Sequence, residues 1–254
     1  CAQLLTWFVT EKPLQQSHYS RNYGGKNLAK IYDKQSTQES KKELVKFVKF
    51  CEQKLKHTPI IIGGWAVYAF GGKEQSLDID VVFSTKTQAE KIMLQFFTEN
   101  DYEKQDYGDQ QTHFAKKIKK GEKTIELRFD YFSFEDKGHL AENSVITIPF
   151  KLIEKNFDYK KIGKTKIKIP SIELLILFKI KALRDRDATL NIRGIRISPE
   201  TKLWLKTKIA KDKRDIKTLI NTGKIDKQKM DNLVQETKFK KYFEQTMKEI
   251  IRPG

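Results

Sequence analysis

Hydrophobic positions in the first part of the chain alternate between helical and strand-like spacing. A helix is predicted from Ser40, which stands three residues before Glu43 in the spacing of a capping box, to about His57. Its apolar face consists of residues three or four positions apart: Leu44, Phe47, Val48, Cys51 and Leu55. The apolar run 60–62 then predicts a short buried strand, which Gly63-Gly64 ends before a helix of about two turns.

Period-two alternation predicts three longer strands further along. In 78–83, Asp78 and Asp80 share one face, and apolar residues occupy the other. A second capping-box spacing, at 87–90, predicts a helix after this strand. The segments 111–119 and 123–132 form a predicted hairpin, and its second strand carries Glu126, Arg128 and Asp130 on one face.

Helical patterns dominate the remainder of the chain. After weaker strand candidates at 145–150 and 164–169, helices are predicted at 171–186, 199–221, 227–235 and 238–251. The predicted fold class is α/β (α+β), with a mixed sheet flanked by helices and a mainly helical C-terminal part. We therefore predict an N-terminal arm at 1–39, a catalytic domain at 40–170 and a helical domain at 171–254.

The charge balance narrows the classes of partner. The chain has 254 residues, and its 50 Lys and Arg residues exceed its 33 Asp and Glu residues by 17. This excess favours a polyanionic partner such as RNA. No apolar run is long enough to cross a bilayer, so we expect no membrane association. Two cysteines cannot build a disulfide framework, and a reducing, cytoplasmic location is expected.

Candidate chemistry converges between residues 60 and 130. Gly63-Gly64 follows a strand and opens a helix, where backbone N–H groups can hold an anion. Asp78, Asp80 and Asp130 are expected to project from neighbouring strands, and carboxylates gathered in this way repel one another unless a cation matches them. Mg²⁺ prefers oxygen ligands and bridges carboxylates to phosphates. The pattern therefore predicts a divalent-metal and phosphate site.

The same residues resemble the signature of the nucleotidyltransferase superfamily that includes DNA polymerase beta. The signature has an apolar residue, Gly, then Gly or Ser, about nine to thirteen residues, and Asp-apolar-Asp-apolar. Here it is Ile62-Gly63-Gly64, thirteen residues, and Asp78-Ile79-Asp80-Val81. The resemblance implies a nucleotidyltransferase-type sheet and an enzyme that uses a nucleoside triphosphate.

The resemblance also implies a role for each residue of the motif. Gly63 and Gly64 would bind the triphosphate, with Ser76 included in the nucleotide site. Asp78 and Asp80 would bind Mg²⁺, or Mn²⁺ as an alternative. Asp130 would be the third acid, a metal ligand and the candidate base, with Glu126 as an alternative on the same strand face.

A looser resemblance covers the helical half. The segments 179–184 and 211–216 are similar to the helical part of minimal and AbiEii-like nucleotidyltransferases, which include antibiotic-modifying enzymes and toxins of toxin–antitoxin pairs. Lys179 and Lys181 are accordingly predicted to bind nucleotide phosphates, together with Arg184. The alternative for these residues is a solvated basic helix face, and the same two interpretations apply to Lys211 and Asp212.

Three functions remain open at this level. The favoured one is Mg²⁺-dependent transfer of a nucleoside monophosphate to an acceptor, with an RNA or tRNA end as the first candidate and pyrophosphate as the product. A toxin that modifies RNA or protein and requires an antitoxin partner is the second. A non-catalytic nucleic-acid-binding module with a degenerate site is the third.

Overall fold

A computed structural model describes residues 33–55, 58–73, 75–105, 113–192, 197–222 and 224–251. The helices of these ranges are α1 (Lys34–Leu55), α2 (Gly63–Ala69), α3 (Lys86–Thr98), α4 (Ile172–Asn191), α5 (Pro199–Asn221), α6 (Lys227–Glu236) and α7 (Lys240–Ile251). The strands are β1 (Ile60–Ile61), β2 (Asp78–Phe83), β3 (Glu103–Gln105), β4 (His113–Lys120), β5 (Lys123–Ser133), β6 (Lys137–Leu140), β7 (Asn143–Pro149), β8 (Phe157–Ile162) and β9 (Thr165–Pro170). The predicted α/β class with a helical C-terminal part is confirmed.

Seven strands form one mixed sheet in the order β3-β4-β5-β2-β1-β9-β8. β2 is antiparallel to β1 and parallel to β5, and β1 is parallel to β9. β6 and β7 form a separate hairpin. The two-residue strand β1 therefore lies between β2 and β9, and the glycine pair follows its end.

The two faces of the sheet carry different residues because side chains alternate along each strand. On one face, Phe47 of α1 makes edge-on contacts with Phe83 of β2, Phe129 of β5 and Phe96 of α3, with ring centroids 5.0 to 6.5 Å apart. This face is the apolar core beneath α1 and α3. The other face carries Asp78, Asp80 and Asp130 and is approached by the C-terminal helices.

An aromatic stack connects β5 to the C-terminal helices. Phe132 stacks on Phe150 at 4.8 Å, and Phe150 stacks on Phe178 of α4 at 5.3 Å. Buried apolar residues on both sides of the predicted boundary at 170/171 belong to one continuous cluster. The domain division itself stays a prediction.

The N-terminal helix begins earlier than predicted. It starts at Lys34, where Asp33 accepts hydrogen bonds from the N–H and the hydroxyl of Ser36. Ser40 is not a helix cap. It is buried within α1, donates a hydrogen bond to the carbonyl of Leu77 at 2.8 Å, and accepts one from Trp65 Nε1. The capping-box pattern was misleading here because this hydroxyl serves a tertiary contact.

Other boundaries differ by a few residues. The cap of α3 is Thr85, which accepts a hydrogen bond from the N–H of Gln88, rather than the predicted Thr87. The predicted helix end at His57 and residues 1–32 of the predicted arm lie outside the described residues, whereas 34–39 are helical. No helix in the described ranges combines the length and apolarity needed to span a membrane.

Candidate functional site

The β2–β5 register places the acids side by side. Asp80 pairs directly with Asp130, and Asp78 pairs with Arg128, so the three carboxylates lie on one sheet face. The predicted strand placement of the acids is confirmed. Glu126 shares the face of Asp130 but pairs with Lys117 of β4, beyond the segment of β5 that pairs with β2. The register therefore favours Asp130 over Glu126 as the third acid.

Gly63 contacts the acids through its backbone. Its φ is +65°, in the region that favours glycine, and a Cβ added there would lie 2.0 Å from Asp80 Oδ2. The N–H of Ile62 donates to the carbonyl of Asp80 at 3.0 Å, which fixes the turn against β2. Both the conformation and the close approach require glycine at position 63.

Gly64 contacts a different pair of residues. A Cβ at this position would lie 2.7 Å from Ser76 Oγ and 3.5 Å from Lys211 Nζ. Ser76 is buried, and Lys211 comes from α5. The structure therefore places Ser76 and the Lys211 ammonium group at the glycine turn, and the assignment of Ser76 to a nucleotide site stays a prediction.

Two of the three acids are matched by cations. Asp78 Oδ2 accepts from Lys208 Nζ at 3.0 Å, and Asp130 is held by Arg128, whose Nε lies 3.1 Å from Oδ1. We call Asp78, Asp80, Asp130, Arg128 and Lys208 the acid cluster. Asp78 and Asp130 are 9% and 7% exposed, while Asp80 is partly exposed.

Asp80 is the electrostatically unfavourable member of the acid cluster. Burial and the neighbouring carboxylates of Asp130 and Asp78 raise its pKa to about 7, although Lys179 and Lys208 oppose the shift. Within the described ranges, Asp80 forms no ion pair. The acid cluster therefore holds more negative charge than its cations neutralise.

A second group of charged side chains lies between α4 and α5, next to Gly64. Lys179 Nζ of α4 is 3.2 Å from Asp212 Oδ1 and 2.6 Å from Asp215 Oδ2, and Lys211 Nζ is 2.9 Å from Asp215 Oδ2. Arg186 also pairs with Asp212. We call these five residues the buried ion-pair network. It joins α4 to α5.

Three members of this network have shifted pKa values. Burial alone would lower the pKa of Lys179, but Asp212 and Asp215 raise it. Burial and the Lys179 charge lower the pKa of Lys211, despite its contact with Asp215. The pKa of Asp215 is lowered because Lys179 and Lys211 outweigh its burial. Lys211 is thus the network lysine whose pKa is lowered, and it lies next to Gly64.

Lys181 and Arg184 lie away from this site. Lys181 Nζ is 2.6 Å from Asp185, and its Cε would be 3.1 Å from a Cβ at Gly138 of the β6–β7 hairpin. Arg184 is buried, with Nε 2.8 Å from Thr246 Oγ1 and Nη2 2.9 Å from Glu249. Of the predicted basic residues, Lys179 and Lys211 lie near the glycine turn, where both belong to the buried ion-pair network. The alternative of a solvated basic face is wrong for Lys179, Arg184 and Lys211, because all three are buried.

Sequence reasoning gave no role to the two cations that contact the acids, although it placed Arg128 on the strand face of Asp130. Arg128 is two residues before Asp130, and the alternation that put both on one face was the signal for their contact. Lys208 lies three and seven residues before Lys211 and Asp215 on α5, a spacing that puts all three on one helix face. That spacing was the available signal.

The described residues contain no group of three or more His, Cys, Asp or Glu side chains gathered closely enough to hold a metal ion. In this arrangement Asp78 and Asp130 instead contact Lys208 and Arg128. The chemistry of the donors nevertheless fits a hard cation, since all three acids offer carboxylate oxygens on one face, and Asp80 lies against a glycine turn that a Cβ would fill.

Comparison with models of protein families and with curated proteins finds no match for this chain.

Proposed function

We propose that this protein is a nucleotidyltransferase that transfers a nucleoside monophosphate from a nucleoside triphosphate to an acceptor hydroxyl. The observation that carries the proposal is the contact of Gly63 with Asp80, with Asp130 paired beside Asp80. A glycine turn that abuts clustered acids is the juxtaposition that the sequence motif implies. The resemblance to the DNA polymerase beta superfamily agrees with this geometry.

The reaction is a displacement at the α-phosphorus of the nucleotide. The acceptor oxygen forms a new P–O bond, the bond to the β-phosphate oxygen breaks, and pyrophosphate leaves. The acceptor proton passes to a base, for which Asp130 is the candidate. The glycines let this turn pack directly against Asp80 and Ser76, and the backbone N–H groups of the turn would bind the triphosphate.

Asp78, Asp80 and Asp130 would hold Mg²⁺, or Mn²⁺, which when bound supplies positive charge to the reacting phosphate and to the leaving pyrophosphate. The residues of the chain must rearrange for this, because Lys208 and Arg128 contact two of the three carboxylates. Displaced from Asp78, the Lys208 ammonium would be available to a phosphate oxygen.

The same two ion pairs favour one alternative. A nucleic-acid-binding module that had lost catalysis would keep its acids neutralised by Lys208 and Arg128. Such a module would bind RNA without regard to Mg²⁺. The alternative therefore predicts no incorporation of nucleotide under any metal condition.

The test is incubation with each nucleoside triphosphate labelled at the α-phosphate, Mg²⁺ or Mn²⁺, and total cellular RNA or protein. Label from the α-phosphate should enter one of these pools. In a parallel incubation with nucleotide labelled at the γ-phosphate, no label should enter. Asp80→Asn and Asp130→Asn should abolish incorporation, whereas the matched variant Glu126→Gln on the same face of β5 should retain it. Absence of incorporation with every nucleotide and pool, or equal activity of Asp80→Asn, would contradict the proposal.

A further inference from the structure

An exposed surface at the far edge of the sheet combines aromatic rings with lysines. Tyr159 and Phe157 of β8 are 49% and 36% exposed, although both are large hydrophobic side chains. Lys166 Nζ lies 4.1 Å from the centre of the Tyr159 ring, and Lys168 Nζ lies 3.9 Å from that of Phe157. With Lys161, these residues form what we call the aromatic–lysine surface.

The strand register places this surface on the sheet face that carries the acids. Val82 pairs with Ile60, Ile60 pairs with Lys168, and Lys168 pairs with Tyr159, so these four residues form one row across the sheet. Paired residues point to the same face, and Asp80 is two residues from Val82. Asp80 and Tyr159 therefore share a face.

The distance between the two features is short. β2 and β8 are three strand spacings apart, or about 14 Å at roughly 4.8 Å per strand. Phe157 is displaced from the row in the same direction as Asp80, because β2 and β8 are each antiparallel to the strands between them. The aromatic–lysine surface therefore lies near the acids on the same sheet face, while Ile60 and Val82 between them are buried.

The charges of this surface are arranged for an anion. Lys161 pairs directly with Lys166 across β8 and β9, an arrangement that is unfavourable for like charges. Burial lowers the pKa of Lys168, and the nearby carboxylate of Glu154 only partly offsets this effect. Asp158 lies on the opposite face of β8. Because β8 is the edge strand, an extended ligand has access to this side of the sheet.

We propose that the aromatic–lysine surface binds single-stranded polynucleotide and guides the 3′ end of an RNA acceptor to the acid cluster. The exposed parts of Tyr159 and Phe157 provide ring surface on which bases stack, and Lys161, Lys166 and Lys168 contact the phosphates between them. Binding by this surface is independent of the chemistry, whereas its role in guiding an acceptor rests on the proposed nucleotidyl transfer.

Direct binding tests the surface without requiring catalysis. The probe is a fluorescent single-stranded RNA of about a dozen nucleotides, in keeping with the site sizes of such surfaces. Tyr159→Leu should weaken binding about tenfold, while Tyr159→Phe, which keeps the ring, should bind as the unaltered protein does. Phe157→Leu combined with Tyr159→Leu should weaken binding further, by about a hundredfold.

A charge-matched pair separates this surface from general basicity. Lys166→Glu should weaken binding about tenfold and reduce its salt dependence, whereas Lys240→Glu, at an exposed position of α7, should have little effect. Single-stranded DNA of the same sequence serves as a second probe. Equal affinity for the DNA would show that the surface binds through stacking and phosphate contacts alone. Weaker affinity for the DNA would show that the surface also recognises the 2′-hydroxyl of RNA.

The outcomes that overturn the proposal are distinct from failure of the proposed function. Unchanged RNA affinity in the double leucine variant, or equal competition by polyglutamate, would exclude a base-stacking surface. Asp80→Asn should retain RNA binding while losing transfer. If the unaltered protein binds single-stranded RNA through this surface but never transfers nucleotide, the proposed function fails and the surface remains. If transfer to RNA occurs and is insensitive to the surface variants, the surface fails and the function remains.

Discussion

Two groups of charged side chains meet at the glycine turn. They differ in the sign of their net charge and in how completely their charges are paired. The acid cluster sets three carboxylates against two cations, whereas the buried ion-pair network sets three cations against two carboxylates. Every charge of the network contacts an opposite charge, and together they join α4 to α5. In the acid cluster, Asp80 keeps a raised pKa because its neighbours are also acids.

The contrast separates a structural role from a functional one. Complete pairing in a buried position stabilises one arrangement of helices, and removal of one partner is strongly unfavourable. An acid held among acids is destabilising unless a ligand supplies the missing positive charge. The acid cluster is therefore the part of the molecule whose stability should respond to a cation.

The largest effect on stability is expected in the buried ion-pair network. Lys179→Met leaves Asp212 and Asp215 with less compensating charge in a buried position, and the free energy of unfolding should fall by about 3 kcal/mol. Chemical denaturation measures this change. Lys181→Met, which removes a partly exposed i,i+4 pair two residues along α4, should cost less than about 0.5 kcal/mol. Equal losses in both variants would contradict the distinction between them.

Gly63→Ala should combine loss of stability with loss of function. The left-handed φ and the contact with the Asp80 carboxylate together should lower the free energy of unfolding by about 2 to 3 kcal/mol, and transfer should fall by more than about a hundredfold. Gly121 has φ +62°, and a Cβ added there would meet nothing within 4 Å. Gly121→Ala should therefore lose only about 1 to 2 kcal/mol and keep its activity.

Asp80→Asn should stabilise the protein in a pH-dependent manner. The pKa of Asp80 is raised from about 4 when unfolded to about 7 when folded, so the folded protein loses stability as pH rises across that interval. The amide of the variant does not ionise, so its stability does not fall over this pH interval. The variant should therefore be more stable than the unaltered protein by about 1 to 3 kcal/mol at pH 8, with a small difference near pH 4.

Denaturation curves at both pH values measure the difference. Asp231→Asn, at an exposed position of α6, should show no such dependence. Mg²⁺ should raise the melting temperature of the unaltered protein and leave that of Asp80→Asn unchanged. A stability difference that grows toward low pH would contradict the assignment.

The smallest effect is expected for Lys208→Met. Loss of a partly buried pair with Asp78 should lower the free energy of unfolding by about 1 kcal/mol. Because Lys208 competes with a metal for the Asp78 carboxylate, the melting temperature of the variant should rise more in Mg²⁺ than that of the unaltered protein. Lys206→Met, at an exposed position of the same helix, should change neither quantity.

The sheet and its acids could be predicted from sequence because their signals are local. Alternation in 78–83 fixed the face shared by Asp78 and Asp80, and Pro199 marked the start of α5. The pairing of Asp80 with Asp130 required only that two alternating strands be neighbours, and the glycine turn followed from a short apolar run.

The parts that sequence did not predict depend on contacts between distant segments. Ser40 has the spacing of a cap, yet its hydroxyl reaches Leu77, 37 residues away. Arg184 has the sequence context of a phosphate ligand, but it packs against Thr246 and Glu249 of α7. The inward-facing positions of β8 are mostly charged, so its alternation did not indicate a buried strand.

The stack of Phe132, Phe150 and Phe178 has a consequence for folding cooperativity. It joins the strand that carries Asp130 to the helix that carries Lys179 through two face-to-face ring contacts. A fragment that ended at residue 170 would keep Phe132 and Phe150 but would lack the ring of Phe178 that stacks on Phe150. We therefore expect the sheet and the C-terminal helices to unfold in a single calorimetric transition, with equal calorimetric and van 't Hoff enthalpies.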